Sequence, residues 1–544
     1  MKITKLALFL SISIIPTFLW AQDVKEAPKN WFNLDYATDS VMGISTEKAY
    51  QELLKGRKAS PVITAVIDGG VDVHHEDLKD VLWINKKDAK TSGKDADKNG
   101  YINDKYGWNF IGNAKGQHID YDNTEFTRLV RELGPKYEAM LPSTPKTAAE
   151  QREFRTYLRA KRTLDQKIAE ASYGERNYSA LVASVDTIIS KVGKKTEAIQ
   201  LTDLKKIIPA NDKEKLALQM SEDGIQEEGS FHDFYTQIKE AEEYYSSKIA
   251  YHLNVAYDTR AVVGDHYELA SERYYGNADV AGPDAEHGTH VAGIIGANRK
   301  NSLGIKGVAD AVQIMSLRVV PDGDERDKDV ANAIRYAAEN GAKVINMSFG
   351  KAFSKNKQLV DEAVKYAQSK DVLIIQAAGN DSEDIDISPN FPSKYYWNDT
   401  DSIIGQAEAW ITVGATSWEL DENLIANFSN YGYKNVDVFA PGVAIYSTLP
   451  QSEYKAMDGT SMAAPVVAGL ASLIRSYYPE FSAKETKQII LSSVEVIDKK
   501  VKITTPDRLE QEVYLAEISA TGGIVNAYKA ILEADKLRSA KKLN

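Results

Sequence analysis

The chain has 544 residues, an ordinary hydrophobic content of 43% and a formal net charge of −12. This balance argues against nucleic acid or an anionic membrane as partner, since both need clustered cations. With no cysteine, disulfides, thiol nucleophiles, Cys-ligated zinc and an acylated lipoprotein cysteine are excluded.

Residues 1–21 read as a secretory signal peptide. Lys2 and Lys5 precede an apolar run from Leu6 to Trp20, and Ala21-Gln22 offers a cleavage point. The run contains Pro16 and is short for a membrane span of about 20 residues. The expected location is therefore exported, periplasmic or extracellular, with no membrane attachment after signal removal. Residues 22–117 are expected to begin the main domain. Within them Val62–Ile67 is a β-branched strand, closed by Asp68 and turned by Gly69-Gly70. A carboxylate there can accept a hydrogen bond from a histidine; an ordinary turn aspartate is the plainer alternative.

Next, Asp95, Asp97, Asn99, Tyr101 and Asp104 set oxygen ligands along a loop with Gly100 at its sixth position. That is the first half of an EF-hand-type loop, with Tyr106 where the twelfth-position Glu would stand. Structural calcium is the expected cofactor, and a second candidate lies near Asp258 and Asp265.

Residues 118–250 read as a helical insertion. Phe154, Tyr157, Leu158, Leu164, Ile168 and Ala171 fall at three- and four-residue steps. So do Leu181, Val185, Ile188 and Ile189, and again Phe231, Phe234, Ile238, Ala241, Tyr245 and Ile249. Pro135, Pro142, Pro145 and Pro209 are expected to break the helices. These stripes are core faces and carry no catalytic constellation.

Residues 251–535 alternate strands (312–319, 343–349, 372–378, 410–416) with helices (330–339, 359–368), and 536–544 form a charged tail. The predicted fold class is α/β, a parallel sheet flanked by helices. Catalytic groups should then lie beyond the strands' carboxyl ends. His287-Gly288-Thr289-His290 opens a helix of small residues. No further ligand follows at metal spacing, so His290 is read as structural. Asn380 ends Ala377-Ala378-Gly379-Asn380 after a strand, where its amide could donate to an oxyanion. Ser461, in Gly459-Thr-Ser-Met-Ala-Ala-Pro465, would sit at a helix N-terminus, either as a nucleophile near free N–H groups or as a plain cap.

Together, "AVIDGGVDVHHEDL", "HGTHVAGIIGA", "NMSFG", "AAGN" and "DGTSMAAP" resemble, in order, the motif set of the subtilase superfamily of serine peptidases. The resemblance covers roughly residues 40–112 and 255–535. It implies a subtilisin-like fold and a secreted serine endopeptidase acting on polypeptides through an acyl-enzyme. It also implies a triad of Asp68, His287 and Ser461, with Asn380 and the Ser461 N–H as oxyanion donors. The alternative is a catalytically silent binding protein on the same fold. An α/β-hydrolase is excluded, because its triad runs Ser, Asp, His and no histidine follows Ser461. The resemblance further implies that Ser348-Phe349-Gly350 pairs with extended substrate. Ala377, Ala378 and Gly379 would wall the first pocket, and Phe349 would narrow a distal one. Subtilases often hold Ca²⁺ in a D-x-D-x-N-G loop after the catalytic Asp.

Two departures stand out. The insertion widens the gap between Asp68 and His287, and it is expected either to flank the cleft and limit access or to form a remote bundle. Trp31–Leu54 reads as the opening of the peptidase domain, which leaves no separate inhibitory propeptide. Cleavage specificity, natural substrate and oligomeric state are not encoded in any recognisable motif.

Overall fold

The computed structural model describes residues 26–90, 93–142 and 144–543, so the predicted signal segment lies outside the described residues. One nine-stranded sheet organises the chain. In sequence its strands are β1 (Val62–Asp68), β2 (Gly107–Asn109), β3 (Val312–Arg318), β4 (Val344–Met347), β5 (Leu373–Ala377), β6 (Trp410–Thr416), β7 (Val438–Pro441), β8 (Glu495–Val496) and β9 (Gly523–Ile524). Across the sheet they run β8-β9-β7-β6-β5-β4-β1-β3-β2. Every neighbouring pair is parallel except β8 with β9. β1 lies between β3 and β4, so the strand order reverses there. In open α/β sheets that switch point, at the strands' carboxyl ends, is where a cleft opens.

The helices of ten residues or more are α1 (Glu125–Tyr137), α2 (Ala148–Val192), α3 (Asp212–Glu228), α4 (Phe231–Ser247), α5 (Glu286–Gly296), α6 (Asp327–Glu339), α7 (Lys357–Ser369), α8 (Thr460–Tyr477), α9 (Ala483–Ser492) and α10 (Ala527–Leu543). Side chains alternate across a strand, and the two cores obey that period. Val66, Ile314 and Ile375 face the core built with α5 and α8. Ala65, Ile67, Met315 and Ile374 face the one built with α6 and α7. From Met462 to Tyr477, α8 is buried on every side. A helix can be so enclosed only when its residues are apolar or small, as Ala463, Ala464, Ala468 and Ala471 are.

Helices α1 to α4 form an arm. α2 is a single helix of 45 residues, about 68 Å at 1.5 Å per residue. It is capped by Thr147 and Glu150 at its start and by left-handed Gly193 at its end. The first two predicted stripes therefore share one helix, and Leu158 and Ile168 turn outward at 41% and 38% exposure. Pro135 does not end α1, which runs on to Tyr137. The proline has no N–H for the Arg131 carbonyl, so that helical bond is lost, and the helix ends two residues later. Near the body, α1 and the first part of α2 share a core with Leu253 and Phe353. Farther out, α2, α3 and α4 pack on one another.

Buried charge lies under the arm's base. Arg260 donates to Asp265 at 2.7 and 2.8 Å and to Asp329 at 2.6 and 2.9 Å. Lys328 also reaches Asp265, at 2.7 Å. Asp265 is thus occupied by cations, and Asp258 faces Arg131 and Arg326. The pair expected as a second calcium site neutralises arginine and lysine instead. Removing one member of such a network strands the others in a low dielectric. Arg260→Met is expected to lower unfolding free energy by about 3–5 kcal/mol. Urea titration measures this, and a loss under about 1 kcal/mol would mean water reaches the network.

Candidate active site

Asp68 ends β1 and is almost wholly buried. Its Oδ1 accepts from the Gly69 N–H at 2.8 Å and faces His287 Nδ1 at 2.8 Å. His287 stands in the first turn of α5, with 40% of its side chain open to the cleft. The approach is close because residue 288 is glycine. A Cβ there would stand 2.1 Å from the Gly70 carbonyl oxygen and 3.2 Å from Asp68 Cβ. Enclosure by protein opposes charge on the His287 ring, but Asp68, then Asp284 and Glu286, favour it and prevail, so its pKa is raised. His290 lies a turn deeper, with Nε2 3.1 Å from the Lys455 carbonyl oxygen. Desolvation pushes its pKa down to about 4, so it stays neutral and holds the helix to a neighbouring hairpin.

Ser461 lies in the first turn of α8. Its hydroxyl donates to the Ser348 carbonyl at 3.0 Å, and the Ser348 hydroxyl donates back to the Ser461 carbonyl at 2.8 Å. Pro465 explains the second bond. Four residues on, it has no N–H to give the Ser461 carbonyl, and Ser348 fills that vacancy. Asn380 follows β5, and its Oδ1 accepts from Thr460 N and Oγ1 at 2.9 and 2.8 Å. Its Nδ2 is thereby turned the other way. Gly459 has φ +154°, and a Cβ built on it would lie 3.5 Å from both Asn380 Nδ2 and Ser461 N. Two donors therefore border one small space that only glycine leaves open. A negative oxygen could be held there.

Asp68, His287, Ser348 and Phe349 line a cleft of about 510 Å³, shared with Asp120, Tyr121 and Asp322. Ser348-Phe349-Gly350 continues β4, and Lys351 next to it pairs with Phe391 in both directions at 2.9 Å. Across from it the Ala378 carbonyl accepts from Asn390 and Asn430, both at 3.0 Å. Thr460 Oγ1 accepts from Gly379 N at 3.0 Å. Ala377 closes β5. The two segments expected to flank a substrate thus lie on adjacent parallel strands.

In the acidic loop, carboxylate oxygens of Asp88, Asp95 and Asp97 lie within 4.8 Å of one another. Asp88 comes from a turn before the motif and has no place in the loop pattern. Asp104 is joined to Asp97 through Asn85 and Asn99, whose amides donate to both carboxylates. Its oxygens accept from Asn85, Asn99 and Tyr336 at 2.6–2.7 Å, and burial pushes its pKa up to about 6. The Asn99 side-chain oxygen accepts from Tyr101 N, and the Tyr101 hydroxyl donates to the Arg273 carbonyl.

The sequence model of the subtilase family matches residues 59–513. Thermitase of Thermoactinomyces vulgaris is 37% identical over 251 residues, 45% of this chain and 74% of its own length. A thermophilic serine proteinase of Bacillus sp. strain AK1 is 40% identical over 35% of this chain and 42% of its own. Subtilisin DY of Bacillus licheniformis is 37% identical over 43% of this chain and 76% of its own. The chain belongs to the subtilase family of serine-type endopeptidases.

Proposed function

We propose that Asp68, His287 and Ser461 act as one triad and that Asn380 and the Ser461 N–H stabilise the oxyanion. The observation that carries this reading is the 2.8 Å contact between Asp68 and His287, in a cleft whose Ser348 is bonded both ways to Ser461. When substrate enters, the Ser461 hydroxyl turns from the Ser348 carbonyl to His287 Nε2. His287 takes its proton as Oγ bonds to the scissile carbonyl carbon. The carbonyl oxygen gains the negative charge in the space beside Gly459. Collapse breaks the C–N bond, and His287 gives its proton to the leaving amine. Water then repeats the sequence on the acyl-enzyme, releasing acid and restoring Ser461. Asp68 holds the imidazole in one tautomer and stabilises the imidazolium that forms.

The substrate is an extended polypeptide, aligned along Ser348, Phe349 and Gly350 and walled by Ala377, Ala378 and Gly379. Export is supported by Lys2, Lys5 and the apolar run after them. Among the described residues no helix is long and apolar enough to cross a membrane.

A calcium ion is proposed at the acidic loop. Three converging carboxylates suit a hard cation that takes 6–8 oxygens. Asp88, Asp95 and Asp97 would hold it, and its role there would be to tie the loop to the body. No catalytic step passes through it.

Ser461→Ala is expected to keep its circular dichroism spectrum and lose peptide hydrolysis. Undiminished turnover in the folded variant would falsify the triad. Asn380→Ala should lower kcat by about 10²–10³ with KM nearly unchanged, the loss known for the equivalent donor in subtilisin.

The pH dependence has a definite sign. His287 must be neutral to accept the proton, and its pKa is raised. The acid limb of kcat/KM should therefore lie above the ordinary histidine value of about 6.5. Replacing both Asp284 with Asn and Glu286 with Gln should move that limb to lower pH; a limb that stays put, or moves upward, contradicts the assignment.

Ca²⁺ bound only to the native state stabilises it by mass action. Chelation should lower the melting temperature of the Ser461→Ala protein, and Asp88→Ala or Asp97→Ala should remove that response. Identical melting with Ca²⁺ and with chelator would rule the loop out.

A further inference from the structure

Four of the five residues that follow the proposed substrate segment are gripped by the helical arm. The Lys351 side chain is 1% exposed, and its ammonium meets Glu125 Oε2 at 3.2 Å, Asp327 Oδ1 at 2.8 Å and the Glu325 carbonyl at 2.7 Å. It donates hydrogen bonds to Glu125 and to the Glu325 carbonyl and forms an ion pair with Asp327. Glu125 belongs to the first turn of α1 and is itself held by Arg128. Arg159, on α2, donates from Nη2 to the Ala352 carbonyl at 3.1 Å. Its guanidinium carbon also lies 4.0 Å from the centre of the Phe353 ring. That ring packs edge-on against Phe126 of α1, centroids 6.0 Å apart, inside the arm's own core. Lys355 closes the series with Glu132 of α1 at 2.7 Å. Residues of two arm helices thus hold positions 351, 352, 353 and 355.

These contacts lie immediately next to the segment that would pair with substrate. Residue 351 is bonded to the chain behind it through its backbone to Phe391. Its direction is therefore set by backbone pairing on one side and by the arm on the other. A β-segment that must pair with an incoming peptide needs its carbonyls and N–H groups at fixed spacing. It cannot be left to fluctuate as a free loop.

We infer that the helical arm is a positioning element for the Ser348–Gly350 segment, acting through Lys351, Ala352 and Phe353 on the binding of extended substrate. This rests on the proposed role of that segment. It makes the arm's inner half part of the peptide-binding apparatus, while the outer half, with a separate core, is free for another use. The arm residues named here touch no reacting atom. Their loss should raise KM for a peptide long enough to lie along the segment, and leave acylation of Ser461 by small reagents intact.

The test uses the full-length protein with three readouts. They are hydrolysis of an extended peptide amide, hydrolysis of a small acyl ester, and labelling of Ser461 by a fluorophosphonate. Arg159→Ala is the main variant, since Arg159 lies on the exposed face of α2. Lys351→Met and Arg159→Lys accompany it. Misplacing the segment should raise KM for the extended peptide about tenfold in Arg159→Ala and Lys351→Met. The peptide kcat, ester turnover and labelling should hold, and Arg159→Lys should recover most of the loss.

Gly350→Ala separates the two readings. A Cβ there would stand 2.4 Å from Asn390 Oδ1, so the substitution perturbs the segment directly. If it raises peptide KM while Arg159→Ala does not, the arm has no positioning role and the substrate segment stands. If Gly350→Ala also leaves KM unchanged, the segment does not bind substrate and the inference falls with it. If ester turnover and labelling drop together with peptide hydrolysis in Arg159→Ala, the contact is merely structural and the inference is again overturned.

Discussion

The site depends on how near a helix can come to the end of a strand. His287 and Asp68 belong to elements far apart in sequence, yet their polar atoms stand 2.8 Å apart. That distance exists because Gly288 presents only hydrogen toward Gly70 and Asp68. A single methyl group there would meet backbone, which cannot give way as a flexible side chain can. Packing interiors are dense enough that such a clash displaces the whole helix. The hydrogen bond that orients the imidazole is therefore set by packing first and by charge second. Charge then decides its protonation, since Asp68, Asp284 and Glu286 act on a ring already fixed in place.

The serine is held by a related device. α8 is buried all round, so its first turn cannot drift, and Pro465 opens one carbonyl of that turn to a partner outside the helix. Ser348 takes that carbonyl and offers its own to the Ser461 hydroxyl. The end of β4 and the start of α8 are thereby locked to each other by two short bonds. The Ser461 hydroxyl is bonded to the same residue that begins the proposed substrate segment. In the proposed mechanism, arrival of a peptide along that segment and release of the hydroxyl toward His287 would thus involve one small group of atoms.

Much of this was legible in the sequence, for a physical reason. Strands β1, β3, β4, β5 and β6 are short apolar runs that must be buried on both faces, and their boundaries fall within a residue or two of the expected ones. That Asp68 and Asn380 would fall at strand ends and His287 and Ser461 at helix starts was readable because each follows such a run or opens a helix of small residues. Asp88 was not, because it approaches Asp95 and Asp97 through a turn in space and shares no periodicity with them. The pairing of Lys351 with Glu125 was equally hidden. The two stand 226 residues apart, and a lysine or glutamate in a single sequence reads as solvated surface. The arm's helices were visible by their stripes, but α2 hid its unity, since local spacing does not tell one long helix from two.

The arm can be carried at little cost to the body because its neck is closed twice. Asn109 and Asn277 exchange backbone hydrogen bonds at 2.9 and 3.0 Å, pinning the chain where it leaves and re-enters the sheet region. Farther out, Asn123 donates its amide to the carbonyls of Tyr251 and Asn254, and Thr124 N reaches the His252 carbonyl. Once the ends of a loop are held, the entropy of closing it grows only as the logarithm of its length, so each doubling adds about 0.6 kcal/mol. The arm's own helices offset that by burying their stripes against one another. The body's core still draws on the interval between Asn109 and Asn277, since Phe110, Ile119, Val263 and Tyr275 pack beside α6 and α7. A closed neck also transmits. With Asp122 paired to Arg326 and Glu125 to Lys351 just inside it, a shift of the arm meets charges on α6's leading loop and behind β4. Those are the elements whose ends shape the cleft.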